Sequence, residues 1–170
     1  NKKVIEIITT AFFQNTYLSK FNNVNNDQIK KIEMIINKFD LVKLKHKSFG
    51  HLSEGEKRKV IIARALVHNP LILILDEPFS RLDIKAKSTL LSYLEQVSTK
   101  NLSLVQVTHN FDSIIRNIDR VILLKSGKIF ADGNKENILT SEMMSKLFSI
   151  NIDLIRIDGI HYSSSISTKN

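Results

Sequence analysis

Two adjacent acids, Asp76 and Glu77, close the apolar run Leu71-Ile72-Leu73-Ile74-Leu75. Such a run reads as a buried strand, and in open α/β sheets ligands gather at the carboxyl ends of strands. One acid there can hold Mg²⁺, a cation that takes a few carboxylates together with water and phosphate oxygens. Its neighbour can orient or deprotonate an attacking water. Upstream, Ser53-Glu54-Gly55-Glu56 has capping-box spacing, so Ser53 opens a helix whose first N–H groups and positive dipole end form a ready anion site. Downstream come Ser80-Arg81-Leu82-Asp83 and then, behind a second, mostly apolar strand from Leu102 to Val107, Thr108-His109-Asn110. Each segment has a plain structural explanation when taken alone: acids that end a strand, a capped helix, a histidine at a strand end. A histidine behind the strand that follows an acid-tipped strand is much less ordinary.

Alternating elements must position these residues. Val4, Ile7, Ile8 and Ala11 recur at helical spacing, with Phe12 and Phe13 following, which predicts an opening helix that includes Gln14. The Asn-rich stretch from Asn22 to Asn26 breaks it. A second helix carries Ile29, Ile32, Ile35, Ile36 and Phe39, with Asp27 as its expected N-cap. The helix opened by Ser53 runs through Ala63, Ala65 and Leu66 and stops before Pro70. Leu71 to Leu75, apolar at every position, predicts a central parallel strand buried on both faces. Asp83 can cap the next helix, whose apolar face is Leu90, Leu91, Leu94 and Val97. Val121 to Leu124 and Lys128 to Phe130 flank Ser126-Gly127 as a hairpin, and a helix follows around Glu142 to Phe148. Ile152 to Tyr162 predicts a last hairpin turning at Asp158-Gly159, with a frayed Ser-rich end. A helical portion followed by alternating strands and helices argues an α/β fold.

The bulk composition narrows the function classes. The 170 residues, 42% of them hydrophobic, suffice for one domain with a sizeable core, which disfavours a disordered chain. There is no cysteine, so disulfides and thiolate metal sites are excluded. No apolar run is long enough to span a bilayer, and the first residues do not resemble a signal peptide. The chain begins with Asn, and the expectation is a fragment. A net charge of +8 would suit a nucleic-acid surface, but Lys and Arg are scattered, with no dense tract and little aromatic interleaving. Solvated helix faces explain that charge, and no nucleic-acid partner is expected.

In order and spacing, these residues resemble the ATP-binding-cassette (ABC) family of transporter ATPases. Leu52 to Glu56 resembles the family signature, and Ile72 to Asp76 its Walker B segment, followed by Glu77 and Pro78. Ser80 to Asp83 looks like the D-loop and His109 like the switch histidine. The similarity covers most of the chain, including Ile62 to Leu66 and Leu123 to Gly133. It implies part of a P-loop NTPase-like ABC ATPase core, without the Walker A strand, and part of the helical signature subdomain. The implied divisions are residues 1–67 for the partial helical subdomain, 68–150 for the second half of the catalytic core, and 151–170 for a hairpin and tail. Carried over by resemblance, Asp76 helps hold Mg²⁺, Glu77 acts on the water and His109 contacts the γ-phosphate. Ser53 and Gly55, with Glu56 of the same motif, face ATP bound mainly by the opposite subunit, and Asp83 links the two sites. The implied cofactors are ATP and Mg²⁺. The implied partners are a second ATPase subunit in a head-to-tail arrangement, a homodimer by preference, and a transmembrane permease. The implied location is peripheral, on the cytoplasmic face of the cell membrane.

Two departures stand out. Glu54 occupies the first glycine position of the signature and Glu56 the commoner Gln, and a carboxylate beside phosphate is unfavourable unless it points away. The string G-x-x-x-x-G-K-[ST] occurs nowhere in these residues, whose first glycine is Gly50. The family places that loop, the adenine-stacking strand and the Q-loop upstream of the equivalent of Asn1. The 170 residues by themselves are therefore expected to bind ATP poorly, to hydrolyse it negligibly, and to expose a sheet edge and apolar surface. Among cassette proteins the motif details favour a transporter, and Lys146 to Phe148 followed by Ile152 to Tyr162 is similar to tails in importers of metal-containing anions or chelates. The alternatives are a ribosome-associated translation factor and half of a DNA-repair or chromosome ATPase. The Phe79-Ser80-Arg81-Leu82 segment opposes the first, and the lack of sustained heptads opposes the second.

Overall fold

The structure is a computed structural model and describes residues 2–13, 24–98 and 101–168. The expectation for Gln14, and those for Asn22 and Asn23, lie outside the described residues. By internal packing the chain divides into two compact units, Asn1–Val105 and Gln106–Asn170. The divisions expected from the motifs are divisions by role, and they remain a proposal beside this one.

The first unit opens with α1 (Val4–Thr9), continued by a 3-10 turn at Thr10–Phe12, and then α2 (Asn26–Lys38). The N-cap of α2 is Asn25 and not Asp27. Asn25 Oδ1 accepts the Gln28 N–H at 2.9 Å, and Gln28 Oε1 accepts the Asn25 N–H at 3.0 Å. An amide pair three residues apart satisfies two of the orphan N–H groups of a helix start, and Asp27 then sits in the first turn, where its charge suits the dipole. The helix buries Ile32, Ile35 and Ile36, with Phe39 behind them, while Ile29 stays exposed. Two further 3-10 turns, Val42–Leu44 and Phe49–His51, lead to α3 (Glu54–Leu66). Helices α1 and α2 both pack on α3, enclosing Val4, Ile8, Phe39, Val60 and Ala63. At this core Phe39 stacks on Tyr93 at 5.3 Å, and the Lys59 ammonium lies 4.6 Å from the Tyr93 ring centre.

After α3 come β1 (Ile72–Asp76), α4 (Ile84–Val97) and β2 (Ser103–Val107), and β1 and β2 form a two-stranded sheet. Helix α4 buries the expected stripe of Leu90, Leu91, Leu94 and Val97. The expectation that β1 is buried on both faces needs correction. Leu73 and Leu75 are buried, but Ile72 is 59% and Ile74 68% exposed. Successive side chains point to opposite faces of a strand, so one face of β1 meets the core and the other carries its isoleucines to the surface.

The second unit holds two antiparallel hairpins, β3 (Arg120–Lys125) with β4 (Lys128–Asn134), and β5 (Asn151–Ile157) with β6 (Ile160–Ser167). Their turns are Ser126-Gly127 and Asp158-Gly159, with φ of 50°, 74°, 50° and 78° in that order. Two consecutive residues at positive φ are what a two-residue type I′ turn requires, and glycine takes the second place in both. Between the hairpins lie α5 (Lys135–Ile138) and α6 (Ser141–Phe148). Leu139, Met144 and Ile152 form the buried centre, with Phe111, Ile114, Val121, Leu123 and Leu154 packed against it. The expected fraying of the Ser-rich end is also corrected, because Ser163 to Ser167 belong to β6. There Ser165 pairs with Asp153 and donates its hydroxyl to Asp153 Oδ2 at 2.6 Å. Hydroxyls that find partners across a ladder hold a strand together where apolar burial is lacking. Among the described residues, no helix is long and apolar enough to cross a membrane.

Candidate functional site

The first part of the candidate site is the start of α3. Ser53 is its N-cap: Ser53 Oγ accepts the Glu56 N–H at 3.3 Å, and Glu56 Oε2 accepts the Ser53 N–H at 2.8 Å. This reciprocal pair fixes the entry of the chain into α3 and leaves the Ser53 hydroxyl hydrogen able to donate. Glu54 is compensated. Its carboxylate takes a 2.7 Å ion pair from Lys57 one turn on, and that ammonium, with Arg58 and Arg81 nearby, holds the Glu54 carboxyl below the usual range. Arg81 belongs to the segment that resembles the D-loop, whereas Lys57 lies outside the quoted motifs; the i, i+3 spacing of Glu54 and Lys57 was its available signal.

Gly55 carries a packing role that the motif alone did not show. A Cβ added there would lie 2.7 Å from Ala86 Cβ, closer than two non-bonded carbon atoms sit. Ala86 is in the first turn of α4, whose N-cap Asp83 accepts the Ala86 N–H at Oδ1 over 2.8 Å. The first turns of α3 and α4 therefore meet, bringing Ser53, Gly55, Glu56 and Asp83 to one end of the first unit. Two positive helix ends lie side by side there, a favourable setting for an anion.

Between these helices runs the segment from Asp76 to Asp83. Asp76 ends β1 with an exposed side chain. Among the described residues no hydrogen bond or ion pair engages its carboxylate, and no cluster of three His, Cys, Asp or Glu side chains forms a cage for a metal. A single open carboxylate fits Mg²⁺, which keeps its water and phosphate ligands, and does not fit a dedicated all-protein site. Glu77 follows with φ 44°, and Arg81 has φ 62°. For residues with a Cβ the left-handed region costs roughly 1–2 kcal/mol, so the surroundings must hold them there. Pro78 and Phe79, which follow Glu77 directly, are both buried.

His109 is carried by the second unit, on the loop that follows β2. Its side chain is exposed, and Asn110 Nδ2 lies 3.3 Å from its Nε2. Thr108 Oγ1 accepts the Asn110 N–H at 3.1 Å, which tightens the chain around His109. The base of this loop is closed by Gln106, a residue that sequence reasoning passed over. Its Nε2 donates to the Ser113 carbonyl at 2.8 Å, and its Oε1 accepts the Ile115 N–H at 3.1 Å. The available signal was a lone amide within the apolar run Leu104-Val105-Gln106-Val107.

Comparison with known proteins agrees with this picture. A sequence-family model described as ABC transporter matches residues 2–80. An uncharacterised ABC transporter ATP-binding protein of Methanocaldococcus jannaschii is 39% identical over 63% of this chain and 37% of its own length. The molybdenum import ATP-binding protein ModC of Mannheimia succiniciproducens is 45% identical over 54% of this chain and 26% of its own. A solved inward-facing ABC transporter, provisionally assigned to the metal-chelate type, matches in fold with a TM-score of 0.79 at 23% identity, covering 99% of this chain and 67% of that one. The chain spans well under two thirds of the length of either curated relative. The motif order and these matches agree: the chain carries an ABC transporter family match over residues 2–80, is homologous to ABC transporter ATP-binding proteins, and shares the fold of a solved ABC transporter.

Proposed function

We propose that this chain supplies the signature, Walker B and switch-histidine portion of an ABC transporter's ATPase subunit, which couples Mg-ATP hydrolysis in a head-to-tail dimer to transport across a membrane. The observation that carries this reading is the end of β1, where the open carboxylate of Asp76 is followed by Glu77 held in left-handed backbone. A strand tip that keeps one acid open and fixes the next in a strained turn is arranged for chemistry more than for stability.

In this reading Glu77 orients the attacking water and accepts its proton, a role that needs a carboxylate held still. His109 donates to the γ-phosphate oxygens. Ser53 and the first N–H groups of α3 face the nucleotide held mainly by the partner subunit, with Gly55 giving the close approach and Glu56 holding the cap. Asp83 stands at the neighbouring helix start, placed to pass the state of one site to the other. Asp76 would hold Mg²⁺, which when bound neutralises charge on the phosphates. The chain has no phosphate loop within its 170 residues, so the complete site draws on residues outside them. The partners are a second ATPase subunit and a transmembrane permease, with the subunit peripheral on the cytoplasmic face of the membrane and with no nucleic acid involved. The substrate class follows the relatives: ModC is a molybdenum import protein, and the tail from Lys146 to Tyr162 fits an importer of metal-containing anions or chelates.

The test is Glu77→Gln in the intact ATPase assembled with its permease. Loss of general-base catalysis predicts a fall in kcat of about 10²–10⁴-fold while ATP binding is kept. In the intact ATPase subunit purified without its permease, the ATP-bound form of the same variant then accumulates as a dimer that size-exclusion chromatography resolves when Mg²⁺ and ATP are present. Unchanged turnover would remove Glu77 from the chemistry and overturn the reading.

A further inference from the structure

We infer that Gln106 is a positioning residue for His109, fixing the loop that presents the imidazole; this rests on the role proposed above for His109. Gln106 sits in β2 just before that loop begins, and both ends of its amide reach across to where the loop ends. The amide N–H donates to the Ser113 carbonyl at 2.8 Å, and the amide oxygen accepts the Ile115 N–H at 3.1 Å. These two bonds also fix which end of the amide is which, since a carbonyl can only accept and an N–H can only donate.

The receiving backbone is buried. Ser113 and Ile115 are 3% and 0% exposed, and Phe111 and Ile114 pack against the buried centre of the second unit. The 3-10 turn at Phe111–Ser113 also packs against β6. The far end of the loop is therefore anchored in the core, and Gln106 ties the near end to it. Within the closed span, Thr108 Oγ1 accepts the Asn110 N–H and the Asn110 carbonyl accepts the Ser113 N–H, both at 3.1 Å. His109 is left as an exposed side chain on a short, doubly fastened arch.

A loop of this length could close without the clasp, because Phe111 and Ile114 hold its far end. What the clasp adds is angular precision at the strand exit, and catalysis by positioned groups is sensitive to displacements of about 1 Å. An apolar residue at 106 would leave the Ser113 carbonyl and the Ile115 N–H without their partner, at sites with little or no access to water. The amide that follows Leu104 and Val105 in β2 thus serves the loop and not the sheet.

The experiment is a double-mutant cycle on the intact, permease-assembled ATPase with Gln106→Leu, His109→Ala and the pair, read as kcat and KM for ATP. Gln106→Leu is expected to lower kcat about 10–100-fold with KM changed less than about threefold, the pattern of a lost transition-state contact. The pair is expected to be no slower than His109→Ala alone, since Gln106 acts only through His109. Gln106→Glu keeps the acceptor for the Ile115 N–H and loses the donor to Ser113, so its kcat should fall between wild type and Gln106→Leu. If Gln106→Leu does not fold, the same cycle built on Gln106→Glu carries the comparison. A general destabilisation would instead lower the melting temperature without lowering kcat, or make the two losses multiply, and either result overturns the inference. If His109→Ala itself leaves kcat unchanged, the proposed role of His109 fails, and this inference fails with it. If His109→Ala lowers kcat while both Gln106 variants do not, this inference alone falls.

Discussion

At the scale of single residues, Gly55 and Glu77 carry constraints of different origin. Gly55 was singled out as a signature residue, but its neighbour Ala86 gives it a steric reason to be glycine even without nucleotide. Gly55→Ala is therefore expected to destabilise the fold by about 1–3 kcal/mol through overpacking. The check is urea unfolding of Gly55→Ala beside Gly55→Ala/Ala86→Gly, where the second change should recover most of the loss. Failure of that rescue would locate the constraint elsewhere. Glu77 is the opposite case, a residue with a Cβ kept at φ 44°. Its conformation opposes stability, and in the proposed function its carboxylate is the group that acts on the water. The type and spacing of both residues were legible in the sequence. The 2.7 Å approach and the left-handed turn were not, because both depend on which elements pack together.

At the scale of elements, α3 and the β5–β6 hairpin are held by local polar chemistry that can be tested separately. Ser53→Ala removes one of the two capping-box bonds of α3 and should cost about 1 kcal/mol, whereas Ser53→Gly should cost only a few tenths. Both substitutions delete the hydroxyl. Comparing them by thermal melts and ATP turnover therefore separates the cap from any contact with phosphate: equal turnover losses point to the hydroxyl, and losses that track stability point to the cap. In the second unit, His161 on β6 is 5% exposed and lies opposite Arg156. Burial lowers its pKa below the ordinary imidazole value; Glu136 opposes the shift, while Lys135 and Arg156 add to it. The unfolded chain then binds the proton more readily than the folded one. Stability contributed by neutral His161 is complete above the unfolded value of about 6.5 and is lost as pH falls from there through the depressed folded pKa. Melts between pH 8 and 5 should show this decline, and His161→Gln should flatten it; an unchanged slope would show that other groups titrate.

At the scale of the whole molecule, the sheet carries more apolar surface than a strand buried on both faces would. Leu71 is 76%, Ile74 68% and Val105 46% exposed. Surface of this kind with unpaired strand edges drives association. The 170-residue chain is expected to self-associate at micromolar concentration, and Ile74→Thr with Val105→Thr should reduce that association in sedimentation velocity runs. A monodisperse chain would count against this expectation. The same chain should show no Mg²⁺-dependent ATP turnover, because phosphoryl transfer depends on positioning and neutralising charge together, and no phosphate loop lies within these residues.

The sequence by itself determined what depends on neighbours along the chain. The capping box at Ser53 and Glu56, the Asp83 cap, the stripe on α4 and the two Xaa-Gly hairpin turns all follow from side chains a few residues apart, and the structure has them where the spacing put them. The motif order was legible for the same reason, and it gave the family resemblance. Tertiary structure decided what depends on residues brought together from a distance. The open face of β1 follows from what covers the strand, not from its uniformly apolar sequence. Ser163 to Ser167 form a strand because Asp153 and its neighbours lie across from them. The cap of α2 shows how close a local decision can be: Asn25 and Asp27 are both good caps, and the reciprocal bond from Gln28 settled it. The close seat of Gly55 on Ala86 and the clasp of Gln106 on the His109 loop link residues 31 and up to 9 positions apart, separations at which periodicity says nothing and only packing chooses the partner.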